Sequence, residues 1–337
     1  MKVLVFEYIT GAGQAGAPSH ALAAEGDLML DALLADLSAL PGLRLLALRD
    51  RRLPITPAAS ARGVDWRFVE PGADGRQCWR ELLAQVDAAW PIAPESDGLL
   101  EALCRDVEQA GKVLLTTGTA GVELAASKRR TLARLAQHGI PVVPSRALPA
   151  DADAPPWPFP FVVKPDGGAG CEETYRVSEP GQWARRRNAV TADTPRLAQP
   201  WLAGESLSLS LLAARGQAAL LSINTQLIHV DAQGGISLRG CRVGSLADSG
   251  GTFQRLATAI AAAMPELWGL AGVDLILTTQ GPQVLEVNPR LASSHAGLRS
   301  ATGVNPAALV LQLQADGVLP AVPPPRAQPV TIAWGGH

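Results

Sequence analysis

Two short apolar runs, Gly272-Val273-Asp274-Leu275-Ile276-Leu277 and Gln283-Val284-Leu285-Glu286-Val287-Asn288-Pro289-Arg290, are separated by Thr278-Thr279-Gln280-Gly281-Pro282. A Gly-Pro pair between runs of strand length marks a turn, so the segment predicts a β-hairpin. Strand residues two apart share a face, which places Glu286 and Asn288 side by side. Asp274 can join them across the ladder. Two carboxylates and an amide beside Arg290 suit Mg²⁺ carrying substrate phosphates better than an all-protein calcium cage. Acids that merely solvate two strand ends are the competing reading, and the rest of the chain must decide by supplying further phosphate contacts.

The length of 337 residues predicts about two domains with ample core. A net charge of −2 with mixed signs excludes a basic face for nucleic acid and an acidic tail for a basic partner. Gly and Pro are scattered among periodic segments, as turns require and disorder does not. The apolar run at Met1 to Glu7 is too short for a signal peptide and carries an acid early. No stretch approaches the roughly 20 apolar residues of a membrane span. Cys78, Cys104, Cys171 and Cys241 are widely spaced without a Cys-x-x-Cys pair, which argues against zinc and against a disulfide framework. The expectation is a soluble cytoplasmic protein with no nucleic-acid or membrane partner.

Val3 to Phe6 reads as a buried strand, Glu25 to Leu40 as an amphipathic helix stopped by Pro41-Gly42, and Leu43 to Leu48 as a second strand. Strand, helix, strand implies a doubly wound parallel start. Ala88 to Pro91 adds a strand, Gly98 to Ala110 a helix, and Lys112 to Thr116 a further strand. The loop Gly11-Ala12-Gly13 lacks the third glycine of a dinucleotide fingerprint, so it reads as lining a substrate cleft with Glu7, Tyr8 and Gly11. Ser127 caps a helix from Lys128 to His138 with Leu132, Leu135 and Ala136 on one side. Phe161 to Lys164 is a strand, Pro165 to Gly170 a flexible loop, Gln182 to Asn188 a polar helix, and Leu197 to Leu202 a strand. Ser206 to Leu211 alternates strictly, predicting one buried and one polar face, with Ala219 to Val230 as antiparallel neighbour. Thr252 to Met264 reads as a helix; Pro320 to Pro329 is an extended tail before an edge strand at Val330 to Ala333. Expected boundaries are 1–122 for an N-terminal α/β domain, 123–200 for a small lid-bearing subdomain and 201–337 for a C-terminal subdomain with the metal site.

Lys164 closes a strand directly before the glycine-rich loop. Glycines let backbone N–H groups approach phosphate oxygens, and a lysine there neutralises phosphate charge. A surface turn with a chance lysine is the plainer reading of that motif alone. Lys128, taken by itself, is a solvated helix residue. Arg290 can face a planar, multi-oxygen group or form a surface salt bridge. Ser293, Ser294 and His295 fall either on a carboxylate-binding loop or at a helix start. Asn224 and Gln226 lie on a strand facing the cleft, and Arg239 and Arg242 in a glycine-rich connection that can carry a substrate carboxylate. Arg185-Arg186-Arg187 reads as a solvated helix face, and Cys171 lacks a visible activating partner for nucleophilic work.

The ordered set Lys128, then Lys164-Pro165-Asp166-Gly167-Gly168-Ala169-Gly170, Gln199-Pro200-Trp201-Leu202-Ala203-Gly204-Glu205, Asp274 and Glu286-Val287-Asn288-Pro289-Arg290 resembles the ATP-grasp superfamily over about residues 112 to 300. That resemblance implies an α/β (α+β) ATP-grasp fold in which an N-terminal doubly wound domain precedes two α+β subdomains gripping ATP. It implies that Lys128, Lys164, Gly167, Gly168 and Gly170 contact phosphates. It further implies that Asp274, Glu286 and Asn288 hold Mg²⁺ (or Mn²⁺), and that Arg290 faces the transferring phosphoryl group. At the hinge the Pro200 carbonyl would accept from adenine, the Leu202 N–H would donate to the ring, and Glu205 would hold the ribose; the superfamily often has Glu where Gln199 stands.

Such a site makes an acyl phosphate from a carboxylate and ATP, which an amine then attacks. Phe6 to Gly11 and Lys164 to Glu172 look like the branch containing tyramine–glutamate ligases of methanofuran (methylofuran) biosynthesis. The resemblance implies small-molecule partners, L-glutamate through its γ-carboxylate and tyramine or tyrosine as amine, and a homodimer by analogy. Another amino-acid or dipeptide ligase, a carboxylase, and a nucleotide-binding regulator are the alternatives. Gly272, where D-alanine–D-alanine ligases commonly have Arg, makes the peptidoglycan enzyme a poorer fit.

Overall fold

The computed structural model describes residues 1–14, 16–56, 60, 63–149, 155–168, 170–187, 195–324 and 328–334. Ala169, Asn188 and residues 325–327, placed above in the glycine loop, the polar helix and the proline-rich tail, lie outside the described residues.

Val3 to Phe6 are all fully buried because both faces of the first strand are covered. The strand is β1 (Lys2–Glu7), followed by α1 (His20–Ser38), β2 (Arg44–Asp50), β3 (Asp65–Val69), α2 (Gly75–Leu83), β4 (Ala88–Ile92), α3 (Leu99–Gln109) and β5 (Val113–Leu114). Val3 and Val5 pack on Leu30, Leu33 and Leu37 of α1. Leu4 and Phe6 pack on Trp79 of α2 and Leu100 and Leu103 of α3. An uninterrupted apolar run is what a doubly covered parallel strand requires. The strands run parallel in the order β3-β2-β1-β4-β5. Order reverses between β1 and β4, so a crevice opens at their carboxyl ends, where Glu7 stands and Glu95 follows β4. The first helix begins at His20, not Glu25, because Ser19 caps it and its first turn is largely exposed. The strand expected over 112–116 is ladder-paired only at Val113 and Leu114.

Next come α4 (Thr119–Ala125) and α5 (Lys128–Gln137), with the Ser127 hydroxyl accepting from the Arg130 N–H as expected. Leu132 and Leu135 face inward, but Ala136 is exposed and Thr131 takes the inner place, its hydroxyl donating to the Leu124 carbonyl at 3.0 Å. Strands β6 (Arg146–Leu148), β7 (Phe161–Pro165), β8 (Tyr175–Val177) and, after α6 (Pro180–Arg187), β9 (Arg196–Pro200) form an antiparallel sheet in the order β6-β9-β7-β8. The strand expected to reach Leu202 stops at Pro200, so Trp201 and Leu202 leave the sheet.

The remaining elements are β10 (Glu205–Ala214), β11 (Gln217–Val230), β12 (Ile236–Leu246), α7 (Thr252–Ala263), β13 (Gly269–Thr278), β14 (Gly281–Asn288), α8 (His295–Thr302), α9 (Pro306–Asp316) and β15 (Val330–Ala333). The strands form an antiparallel sheet ordered β14-β13-β10-β11-β12-β15, with β15 on its edge. Two expectations are corrected. The serine face of β10 is buried, because the Asn224 amide donates to Ser208 and Ser210 while Ser210 meets the Ser294 hydroxyl at 3.2 Å. Arg239 and Arg242 lie on the strand β12, not in a connection.

Helices α8 and α9 fold back onto α1 and share its core. At that junction the buried Asp36 carboxylate faces His295 Nε2 at 3.1 Å and Arg299 Nη1 at 3.4 Å, and the Asp36 carbonyl accepts from the Asn305 amide at 2.8 Å. Removing one member of a buried charged set leaves its partners desolvated. Asp36→Ala is therefore expected to lower stability by about 3 kcal/mol in urea unfolding, and an unchanged midpoint would contradict the junction's role.

Candidate active site

The hairpin pairs Asp274 directly with Glu286 and Gly272 with Asn288, and the ladder shifts between Asp274 and Leu275. Asn288 Nδ2 lies 3.3 Å from Asp274 Oδ2, so the three oxygen-bearing side chains of the sequence reading do converge. Gln226 Nε2 donates to Asp274 Oδ1 at 3.0 Å, and Ser206 donates to the Gln226 carbonyl oxygen at 2.7 Å.

Lys128, the first residue of α5, points its Nζ at Glu286 Oε2 (3.1 Å) and at the Gly168 carbonyl (2.7 Å). Asp166 ties the glycine loop to that helix end: its carboxylate accepts from the Ser127 hydroxyl at 2.7 Å and the Arg129 N–H at 2.8 Å, and its carbonyl from the Lys128 N–H at 3.0 Å. Lys164 at the end of β7 is buried beside the same acids. Burial pushes the Asp274 carboxyl well above the usual carboxylate range, and the Glu286 charge adds to that. Burial would raise Glu286 as well, but the Lys128 and Lys164 ammonium groups outweigh it and hold this carboxyl low. Burial lowers Lys164, whereas at Lys128 the Glu286 charge overcomes burial and raises it.

These side chains line a cavity of about 400 Å³. Lys128, Lys164, Gly167 and Gly168 form one wall, Gln226, Asp274 and Glu286 another, and Val143, Val162, Ile228 and Ile276 give it apolar flanks. Pro200, Trp201 and Leu202 complete it, with Gln199 buried beneath and donating to the Ser145 hydroxyl at 2.9 Å. A mostly apolar cleft of this size with a few convergent polar groups fits one small ligand. Glu205 is exposed at the start of β10, flanked by the cavity-lining Gly204 and Ser206, and accepts from Thr225 at 3.0 Å. Among the described residues no three His, Cys, Asp or Glu side chains form a metal cage. Two carboxylates and an amide oxygen instead fit a Mg²⁺ ion whose remaining ligands come from phosphate oxygens.

A second cavity of about 540 Å³ shares Asp274 and Glu286 with the first and continues to Asn288, Arg290, Gly170, Glu7, Tyr8, Ser293 and Ser294. Arg290 is held across the chain by Glu95, with Nε to Oε1 at 3.0 Å and Nη2 to Oε2 at 3.1 Å. Ser293 donates to Glu25 at 2.5 Å. Ser293 and Ser294 immediately precede α8, so the helix-start reading of this stretch is the structural one. Four expected positions fall elsewhere. Asn224 is enclosed by Ser208, Ser210 and Ser222, Arg239 and Arg242 are exposed on β12, and Gly11 packs beneath the Phe6 ring. The Cys171 thiol, on the wall of both cavities, is pushed up to about 12 by burial, which leaves it unactivated. Glu95, Glu25 and the Asp166 tie were not singled out from sequence; a carboxylate just past β4 at the point where strand order reverses was the available signal for Glu95.

This fold, with Lys128 and Lys164 facing the paired acids across one cleft, has its class in the families that the sequence matches. Residues 125–294 match the family described as ATP-grasp domain, and residues 43–122 match the pre ATP-grasp 3 domain. The chain belongs to the ATP-grasp family. It is similar to the carbamoyl phosphate synthase large chain of Thermomicrobium roseum (26% identity, 66% of this chain and 22% of that one). It is also similar to the D-alanine–D-alanine ligase of Oleidesulfovibrio alaskensis (31% identity, 35% of this chain and 39% of that one). The matches thus span well under half the length of these relatives. Among solved structures, an ATP-grasp superfamily protein from Archaeoglobus fulgidus superposes with a TM-score of 0.66 at 20% identity, covering 93% of this chain and 88% of that one. The L-amino acid ligase of Bacillus licheniformis gives 0.66 at 17% identity (93% and 73%). The biotin carboxylase domain of Hydrogenobacter thermophilus 2-oxoglutarate carboxylase, solved with MgADP and bicarbonate, gives 0.71 at 16% identity (93% and 69%). At such identities these structures establish the fold.

Glu7 supplies a pH test. Its carboxylate accepts from the Thr10 and Ile9 N–H groups at 2.7 and 3.2 Å, yet burial pushes it up to about 7. The folded state therefore keeps a proton that the unfolded chain releases near its ordinary value, and stability is lost as pH rises from about 4.5 to 7, by about 3 kcal/mol. Glu7→Gln is expected to gain stability relative to wild type across that window in pH-dependent thermal melts. A difference that stays flat from pH 5 to pH 8 would contradict the buried, protonated Glu7.

Proposed function

We propose that this protein is an ATP-dependent, ADP-forming carboxylate–amine ligase. The convergence of Asp274, Glu286 and Asn288 with Lys128 and Lys164, on the wall shared by two cavities, carries the reading. ATP occupies the first cavity, its adenine at Pro200 to Leu202 and its phosphates between the glycine loop and the acids. A carboxylate oxygen of the substrate attacks the γ-phosphorus, the bond to the β-phosphate oxygen breaks, and ADP leaves an acyl phosphate. An amine then attacks the acyl carbon, loses a proton, and expels inorganic phosphate to give the amide. Bound Mg²⁺ supplies charge compensation at the phosphate oxygens. Lys128 and Lys164 add fixed positive charge, and Arg290, steadied by Glu95, faces the acyl phosphate.

The carboxylate is the γ-carboxyl of L-glutamate and the amine tyramine or tyrosine, in furan-type C1-carrier biosynthesis. Supporting this are the resemblance of Phe6 to Gly11 and Lys164 to Glu172 to that branch, and the presence of Glu7 and Tyr8 in the second cavity. A dipeptide ligase is the second reading, favoured by the 31% match to a D-alanine–D-alanine ligase.

ADP release measured with glutamate, with and without tyramine or tyrosine, tests the reading. Amine-dependent ADP and phosphate are expected, while AMP and pyrophosphate would rule the chemistry out. Glu286→Ala should lower turnover at least about a hundredfold; unchanged turnover would remove Glu286 from the site.

A further inference from the structure

The second cavity has a wall that the phosphoryl chemistry does not use. On α1, Leu22, Glu25, Gly26 and Met29 recur at helical spacing and all line it. Leu22 is one of the few large apolar side chains left exposed, at 48%. Facing the same space from the other half of the chain are Leu238 of β12 and Trp334, just past β15. A lone exposed leucine is unremarkable. Leucine, methionine and tryptophan around one concavity, with carboxylates beside them, have the make-up of a ligand site.

Trp334 is held there by a built arrangement. Its backbone N–H donates to the Arg239 carbonyl at 3.2 Å, and Ala333 pairs with Gly240 of β12. Gly240 has φ +152, and a Cβ on it would sit 2.3 Å from the Ile332 carbonyl oxygen, so the edge strand can lie this close only against a glycine. The charge balance is also one-sided. Arg290 is matched by Glu95, and the acids of the lining, Glu7, Glu25, Asp97, Glu172, Asp274 and Glu286, outnumber it; of these Glu25 stands on the α1 wall beside Leu22 and Met29.

We propose that this cavity seats an amine bearing an aromatic or comparably bulky apolar group, and that Trp334 is the residue selecting it. The ring packs between Trp334 and Leu238 on one side and Leu22 and Met29 on the other. The ammonium is paired by Glu25. This assignment rests on the ligase reading only for the amine's fate, since the binding itself needs no turnover.

Calorimetric titration of the full chain with tyramine and with ethylamine tests it, alongside ADP release with each amine. Trp334→Ala should weaken tyramine binding about tenfold while moving ethylamine far less, and Trp334→Phe should restore most of the loss. Leu22→Ala removes an exposed side chain from the opposite wall and should weaken tyramine in the same direction, so the test survives if the Trp334→Ala chain fails to fold. Equal tyramine affinity in wild type, Trp334→Ala and Leu22→Ala, or no tyramine binding by wild type, would overturn the proposal. Tyramine binding that weakens in these variants without ADP release from any amine would strike the ligase reading and uphold this one.

Discussion

Four ionisable groups crowded into one cleft, two lysines buried and two acids half-buried, set the character of this molecule. Asp274 and Glu286 are brought face to face by a hairpin, and Lys128 and Lys164 arrive from a helix start and a strand end far earlier in the chain. Desolvation of such groups is costly unless each finds a partner. The balance is uneven: attraction to the lysines wins at Glu286, while burial wins at Asp274. Glu286 is held by the Lys128 ion pair, while Asp274 accepts from the Gln226 and Asn288 amides.

The same economy of paired charges joins the parallel sheet to the rest of the chain. Glu95 beyond β4 grips Arg290 beyond β14, and Asp36 of α1 meets His295 and Arg299 of α8. Arg290 and, just before α8, Ser293 and Ser294 line the second cavity. Its position follows from strand order, since β1 and β4 stay paired to Glu7 and Ile92 while the helices that follow them, α1 and α3, cover opposite faces of the sheet. Arg290, Ser293 and Ser294 lie on the segment between β14 and α8, so one stretch of chain carries both this wall of the cavity and the approach to the α8–α1 junction.

Local chemistry made the hairpin legible: two apolar runs of strand length and the fixed pleat put Glu286 and Asn288 on one face, although the turn itself is Thr279-Gln280, Gly281 and Pro282 already pair in the ladder, and the register shifts between Asp274 and Leu275. The Ser127 cap and the doubly covered first strand were legible for the same reason. What failed to show was whatever another part of the chain supplies. The serines of β10 read as a polar face set against a buried one because nothing local reveals Asn224 and Ser294 covering them. Arg239 and Arg242 read as a connection because Gly240 and Gly244 punctuate the run, yet β12 absorbs both glycines at positive φ beside ladder irregularities. Glu95 carries no motif of its own and acquires meaning only from a partner 195 residues away.

The central claim is that Asp274 and its hairpin partners bind nucleotide through a divalent cation. Isothermal titration of ADP into the protein, with and without Mg²⁺, in wild type and in Asp274→Asn, measures that coupling directly. The account predicts that Mg²⁺ tightens ADP binding at least about tenfold in wild type and that most of this gain disappears in Asp274→Asn. An ADP affinity indifferent to Mg²⁺ in both proteins would contradict it.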